Sequence, residues 1–256
     1  MKIGACSPLE RIELLEGLGF DQIELGVAYF ATLDDAGIQE VKKMFEGRKL
    51  TVRSCNCMFP GTITPLHKDE GLVEARAYLA NVMPKLKEIG VTTAVFGSGG
   101  YRRMPEDIPE EKRHQLIRDL LVVMEEEARK SGVTIVIEPL NRKETNVLNT
   151  TKESMEYIRE LELPNLKLLV DLYHFYCENE PIDRIYEYGP YIKHVHIAEP
   201  TRRDFPREGD EYDYAPFFKA LHQVGYDGAV MLEGGHGECY NTGVAETYPV
   251  LKKFCK

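Results

Sequence analysis

Four short segments in the second half of the chain run apolar and then present one side chain able to bind a metal ion or move a proton. VTIVIEP ends in Glu138, LKLLVDLYH in Asp171, IKHVHIAEP in His196 and GAVMLEGG in Glu233. An ionised carboxylate at the end of a buried apolar run is costly unless a cation or a hydrogen-bond donor compensates it. Taken singly, each acid reads as a helix cap or a solvated loop residue, and His194 and His196, on one strand face, read as hydrogen-bonded core histidines. Fourfold recurrence changes the reading, because three acids and one imidazole around a common mouth suit a divalent ion. An oxygen-rich set with one imidazole favours Mn2+, Mg2+ or Co2+ over a structural thiolate zinc, and Zn2+ remains compatible. The six cysteines, Cys6, Cys55, Cys57, Cys177, Cys239 and Cys255, contain no CxxC pair and read as reduced thiols, mostly packing groups.

Those four residues need a scaffold that ends neighbouring strands at one place. Short β-branched runs recur between helical stretches: Lys2–Cys6, Gln22–Leu25, Thr51–Cys55, Thr92–Phe96, Thr134–Glu138, Lys167–Asp171, Ile192–Ile197 and Ala229–Glu233. Amphipathic segments lie between them, among them Leu33–Phe45, Glu70–Glu88 and Pro109–Lys130, the last with Leu116, Leu120, Val123 and Met124 on one face. Gly19, Gly90, Gly132 and Gly225 each precede a strand closely, where a left-handed helix cap is useful. Eight strand-then-helix repeats in 256 residues, with no linker or low-complexity tract, predict an α/β fold: a single (β/α)8 TIM barrel spanning residues 1–256. An open doubly wound sheet is the rival. Its GxGxxG is missing after the first strand, where CSPLER stands, and no GxxxxGK[ST] occurs.

Composition narrows the partners. Forty-two acids against 32 Lys and Arg leave a net charge of -10, which opposes a surface built to track nucleic acid. No run approaches the ~20 apolar residues of a membrane span, and the start, MKIGACSPLERIELLEG, is acidic too early for a secretory leader, so the expected location is cytoplasmic. No heptad or dominant apolar patch is visible, and homo-oligomerisation stays open.

The motifs EPLNRKET at Glu138–Thr145, DLYH at Asp171–His174, HIAEPTR at His196–Arg202 and the LEGG around Glu233 carry a resemblance. The sequence resembles the xylose isomerase-like TIM barrels, and among them the metal-dependent sugar isomerases and epimerases of the ketose 3-epimerase type. The resemblance implies one divalent ion on Glu138, Asp171, His196 and Glu233, with Glu138 and Glu233 doubling as the proton-transfer pair. It further implies that Glu144, His174 and Arg202 hold substrate oxygens. The implied activity is isomerisation or epimerisation of a small ketose or related hydroxy-ketone through a metal-stabilised cis-enediolate. A dehydratase or a hydroxy-keto-acid isomerase is the alternative within this fold. Metal-dependent cleavage at abasic DNA also uses such barrels, but it needs further histidine ligands and a basic groove, against seven His and the acidic balance here.

Elementary chemistry gives the same residues sensible tasks. A proton on carbon beside a carbonyl leaves only if the developing oxyanion meets positive charge, and inversion needs a base on one face and an acid on the other. Arg202 is a permanent cation suited to anchoring an oxygen, with a surface arginine as its plain reading. His174, between Tyr173 and Phe175, reads otherwise as packing in an aromatic shell. Other features invite looser expectations: Glu24 in QIELG as an acid behind the ligands, Asn141 and Arg142 as supports for Glu138, Cys57–His67 as a wall for the far end of a sugar, and GSGG with Arg102 and Arg103 as an anion site or merely solvated charges.

Overall fold

The predicted strands reappear with most ends unchanged and the others shifted by one residue, except at the start of the third strand. In the computed structural model, which describes residues 1–67, 70–97, 99–235 and 240–256, β1 spans Lys2–Cys6, β2 Gln22–Gly26, β3 Ser54–Asn56, β4 Thr93–Phe96, β5 Thr134–Ile137, β6 Leu166–Asp171, β7 Ile192–Ile197 and β8 Ala229–Leu232. The strands pair in parallel in chain order and β1 closes on β8, giving a (β/α)8 barrel. The largest departure is β3, expected from Thr51. Thr51 meets β2 only through an isolated bridge to Gln22, and the Arg53 carbonyl is shared by the Thr92 and Thr93 N–H groups, so the regular ladder starts only at Ser54. Ser98 of GSGG and Cys239 fall outside the described residues.

Each strand is followed by a helix that packs outside the barrel: Ile12–Leu18, Asp35–Phe45, Glu70–Ile89, Glu110–Lys130, Thr151–Leu161, Asp183–Tyr188, Ala215–Gln223 and Tyr240–Phe254. Local chemistry sets their ends. The Asp34 carboxylate accepts the Gly37 N–H at 2.9 Å and caps Asp35–Phe45. Gly19, one of the four glycines expected as caps, has φ 96°, and its N–H closes on the Leu15 and Glu16 carbonyls. Glu110–Lys130 buries the face bearing Leu116, Leu120, Val123 and Met124, with Glu110 and Glu111 in its first turn and Arg129 and Lys130 in its last, the arrangement the helix dipole favours.

The barrel interior is divided. Beneath β4, β5 and β6, Val95, Val136 and Leu169 form a small apolar cluster apart from the main core. On the side of β2, β3 and β7 the buried residues are instead Glu24, Ser54, His194 and His196. That polar half underlies the site.

Candidate metal centre and active site

Strand register delivers the four sequence candidates to one place. Asp171 and His196 are direct partners across β6 and β7. Glu138 and Glu233 lie one residue past β5 and β8 but remain on the ladder, the Glu138 N–H donating to the Phe96 carbonyl at 3.2 Å and the Glu233 N–H to that of Ile197 at 2.9 Å. His196 Nδ1 is 3.2 Å from Glu138 Oε1, 3.6 Å from Glu233 Oε2 and 4.0 Å from Asp171 Oδ2. One ligand atom from each of Glu138, Asp171, Glu233 and His174 also falls within 4.8 Å of the others.

Crowding these acids has electrostatic consequences. Burial, then repulsion from Glu233 and Glu138, pushes Asp171 up to about 8. Glu138 is raised for the same reasons, burial first and Glu233 second. Burial would also raise Glu233, but the His196 imidazole and the Arg203 guanidinium outweigh it and hold the carboxyl at about 2. Behind them, the two imidazoles of His194 and His196 overcome burial and keep Glu24 well below the ordinary carboxylate range. So much negative charge in so little space calls for a cation.

Two further observations fit one. Asp171 Oδ1 takes the Tyr173 and His174 N–H groups at 2.6 and 3.2 Å, while its buried Oδ2 has no hydrogen-bond partner. At the end of β4, a Cβ on Gly97 would stand 2.2 Å from Glu138 Oε2; only glycine leaves room for that carboxylate to lean into the mouth. The residues present suit a divalent ion, with Glu138, Asp171, Glu233 and His196 Nδ1 able to hold it.

His174 is better suited to another task. Its Nδ1 accepts the Asn141 backbone N–H at 3.1 Å, with the Asn141 side-chain nitrogen 2.9 Å away. A backbone N–H can only donate, so the ring proton sits on Nε2, which is buried and unpartnered. Burial, followed by Arg203, pulls the imidazole down to about 3, so it is neutral. A neutral ring with a free Nε2–H is a donor awaiting an acceptor. Glu144, held by the Asn141 side chain at 3.0 Å, stands beside it.

Arg202 does not reach this cluster. Its side chain is 60% exposed and pairs with Glu199 and Asp210 at 3.4 Å. Arg203 reaches into the mouth instead, donating to Glu144 at 2.9 Å and Glu233 at 3.2 Å and lying over the Tyr173 ring. The reason is the turn after β7. Glu199 accepts the N–H groups of Thr201 and Arg202 on its carboxylate and that of Arg203 on its carbonyl, and Arg203 adopts a left-handed φ of 55°, which swings its side chain across the mouth. Spacing from His196 points to Arg202, and the left-handed turn that brings Arg203 inward instead leaves no mark in that spacing.

Arg102 also differs from expectation, being neither an anion contact nor a solvated charge. It is fully buried and its guanidinium donates to the carbonyls of Phe96 and Glu138 at 2.7 Å, tying the end of β4 to the start of the Glu138 loop. Beyond the acids, a cavity of about 480 Å³ opens over β1 to β3, lined by Pro8, Leu9, Tyr29, Asn56 and Cys57 among others. Of the Cys57–His67 segment, Phe59 and Leu66 turn into the core, and Cys57 lines the cavity.

The profile described as "Xylose isomerase-like TIM barrel" matches residues 12–253. The chain belongs to this family. Among its relatives, it is 26% identical over 233 residues to 3-dehydro-D-guloside 4-epimerase of Escherichia coli strain K12, covering 88% of this chain and 86% of that one. It is 25% identical over 227 residues to D-psicose 3-epimerase of Agrobacterium fabrum, covering 87% and 77% of the two chains. In fold, this xylose isomerase-like barrel matches the apo crystal structure of 3-keto-D-glucoside 4-epimerase from E. coli with a TM-score of 0.84, 23% identity and full coverage of both chains.

Proposed function

We propose that this protein is a divalent-metal-dependent epimerase or isomerase of a small sugar or sugar ketone. The observation that carries the reading is the meeting of Glu138, Asp171 and Glu233 at His196 Nδ1, beside a neutral His174 with an unused donor and an arginine already reaching inward. The names of the E. coli and Agrobacterium relatives both describe inversion at a carbon next to a ketone, a reaction for which this constellation is well equipped.

In this reading Glu138, Asp171, His196 and Glu233 would hold a divalent ion, which when bound would supply Lewis acidity toward the substrate ketone. Glu138 and Glu233 project from β5 and β8, with β6 and β7 between them, so a substrate lodged there has a carboxylate on each face. One removes the proton from carbon and the other returns it on the opposite side. The His174 Nε2–H and the Arg203 fork bind substrate oxygens, replacing Arg202 in the expected set. Glu144 orients Arg203 and accepts from a substrate hydroxyl. The cavity over β1 to β3 takes the part of the sugar beyond the reacting carbons. Mn2+, Mg2+ and Co2+ best match the donor set, and Zn2+ is compatible with it.

The test is incubation of the metal-loaded protein with ketoses, 3-keto glycosides and hydroxy-keto acids in D2O. Deuterium on an inverted carbinol carbon next to the ketone supports epimerisation, and exchange between C1 and C2 supports aldose–ketose isomerisation. Water loss, conversion of only hydroxy-keto acids, or no exchange in any compound with Mn2+ bound would refute the proposal.

A further inference from the structure

Below the candidate ligands the barrel interior holds a carboxylate that no step of the proposed reaction uses. Glu24 projects inward from β2 and is 1% exposed. Its Oε1 accepts from His196 Nε2 at 3.0 Å, and its Oε2 from His194 Nε2 at 2.6 Å and from the Ser54 hydroxyl in a short contact. The Cys6 thiol approaches Oε1 at 3.6 Å. β2 and β7 are not neighbours, since β1 and β8 stand between them, so this hydrogen-bonded group bridges the barrel interior.

A carboxylate has only acceptors to offer, so each partner must turn a hydrogen toward it. That requirement places a proton on His196 Nε2 and leaves Nδ1 as the nitrogen facing Glu138, Asp171 and Glu233. A histidine without such a partner divides itself between two tautomers and several ring orientations, and only one combination can ligate. His194 has the complementary part. Two residues away on the same strand face, its ring is 5.0 Å from that of His196, and its grip on Oε2, with that of Ser54, keeps the carboxylate from rotating away from Oε1's partner.

We propose that Glu24, anchored by His194 and Ser54, is a positioning residue that fixes the tautomer and ring orientation in which His196 offers Nδ1 to the metal ion. The inference rests on the reading of Glu138, Asp171, His196 and Glu233 as a metal site. It excludes the other grouping the geometry allows, Cys6, Glu24 and His196 as a second cation site, because His196 Nε2 is a hydrogen donor here and has no lone pair to give.

Calorimetric titration of the metal-stripped, full-length protein with Mn2+ tests it. The wild type should bind one equivalent, and Glu24→Gln should bind about 10- to 100-fold more weakly, the usual consequence of altering the outer partner of a metal-binding histidine, while unfolding as cooperatively as the wild type. Ser54→Ala, which removes one of the two anchors of Oε2 and leaves His194 in place, should weaken Mn2+ binding by clearly less than Glu24→Gln does. Unaltered affinity in Glu24→Gln, or equal losses in both variants, would overturn the role of Glu24. So would a second bound equivalent that disappears in Cys6→Ser. A measurement on the wild type stands independently of whether the variants fold: in the Mg2+-loaded protein, long-range 1H–15N spectra should place the His196 proton on Nε2, and a proton on Nδ1 refutes the proposal. Failure of the wild type to bind any Mn2+ would instead remove the metal reading itself, and this inference with it.

Discussion

Two adjacent arginines give a sharp test, because the turn after β7 sends one into the mouth and the other into solvent. Arg203 makes two charge-assisted hydrogen bonds, to Glu144 and Glu233, with 29% of its side chain exposed, and Arg202 is 60% exposed. Hydrogen bonds to charged groups contribute about 1.5–3 kcal/mol each; discounting the pair for partial solvent screening leaves about 2–4 kcal/mol for Arg203. Truncation to alanine frees Glu233 to swing and removes a cation beside the reacting oxygens. The expected loss in kcat/KM is about 30- to 1,000-fold. For Arg202, an exposed ion pair contributes at most about 1 kcal/mol, so Arg202→Ala should lose no more than about fivefold. Arg203→Lys should fall between wild type and alanine, since the ammonium keeps the charge without the planar fork that spans two carboxylates. The assay is steady-state kinetics at saturating metal on the best substrate from the D2O panel. A loss in Arg202→Ala equal to or greater than that in Arg203→Ala would refute the assignment and return the role to the position that sequence spacing indicates.

Glu138→Gln and Glu233→Gln should each lower turnover by about 10²- to 10⁴-fold, the range for losing a general acid or base; deuterium wash-in on the two epimers, measured separately, shows which face each serves, and normal wash-in for both variants would end the pairing. Gly97→Ala forces Glu138 Oε2 aside and should weaken Mn2+ binding in titration while circular dichroism stays unchanged. Asp171 rises from 3.8 to about 8 on folding without metal, so between these values the folded chain holds a proton that the unfolded chain has released, and stability of the metal-free protein should decline as pH rises through that window. Asp171→Asn should flatten that decline, raise the metal-free Tm at pH 8 and abolish the Tm gain from Mn2+; in the wild type that gain corresponds to about 2.7 kcal/mol at an ion concentration 100 times Kd.

Legibility from sequence followed the locality of the signal. Glu138, Asp171, His196 and Glu233 were readable because each interrupts an apolar run at a strand end, and the barrel converts equal positions on neighbouring strands into spatial neighbours. Helix boundaries were readable where one residue sets them, as Asp34 and Gly19 do. The position of Arg203 was not, because it depends on a left-handed φ in a six-residue turn organised by Glu199. The burial of Arg102 was equally hidden, as its partners are backbone carbonyls whose positions exist only after β4 and β5 have paired. Glu24 could be suspected from QIELG, but its partners on β7 lie 170 and 172 residues away along the chain, and no pattern in the sequence joins them.

The divided barrel interior bears on how this protein can be engineered for heat tolerance. Filling barrel interiors with branched aliphatics is an obvious route to a higher melting temperature, and Val95, Val136 and Leu169 show one flank already built that way. Extending the same treatment to Glu24, Ser54 and His194 together would exchange a hydrogen-bonded support for inert packing, and such a variant is expected to lose affinity for the proposed ion whatever it gains in melting temperature. Thermostabilising libraries are better aimed at the outer helices, where substitutions leave the support of His196 untouched.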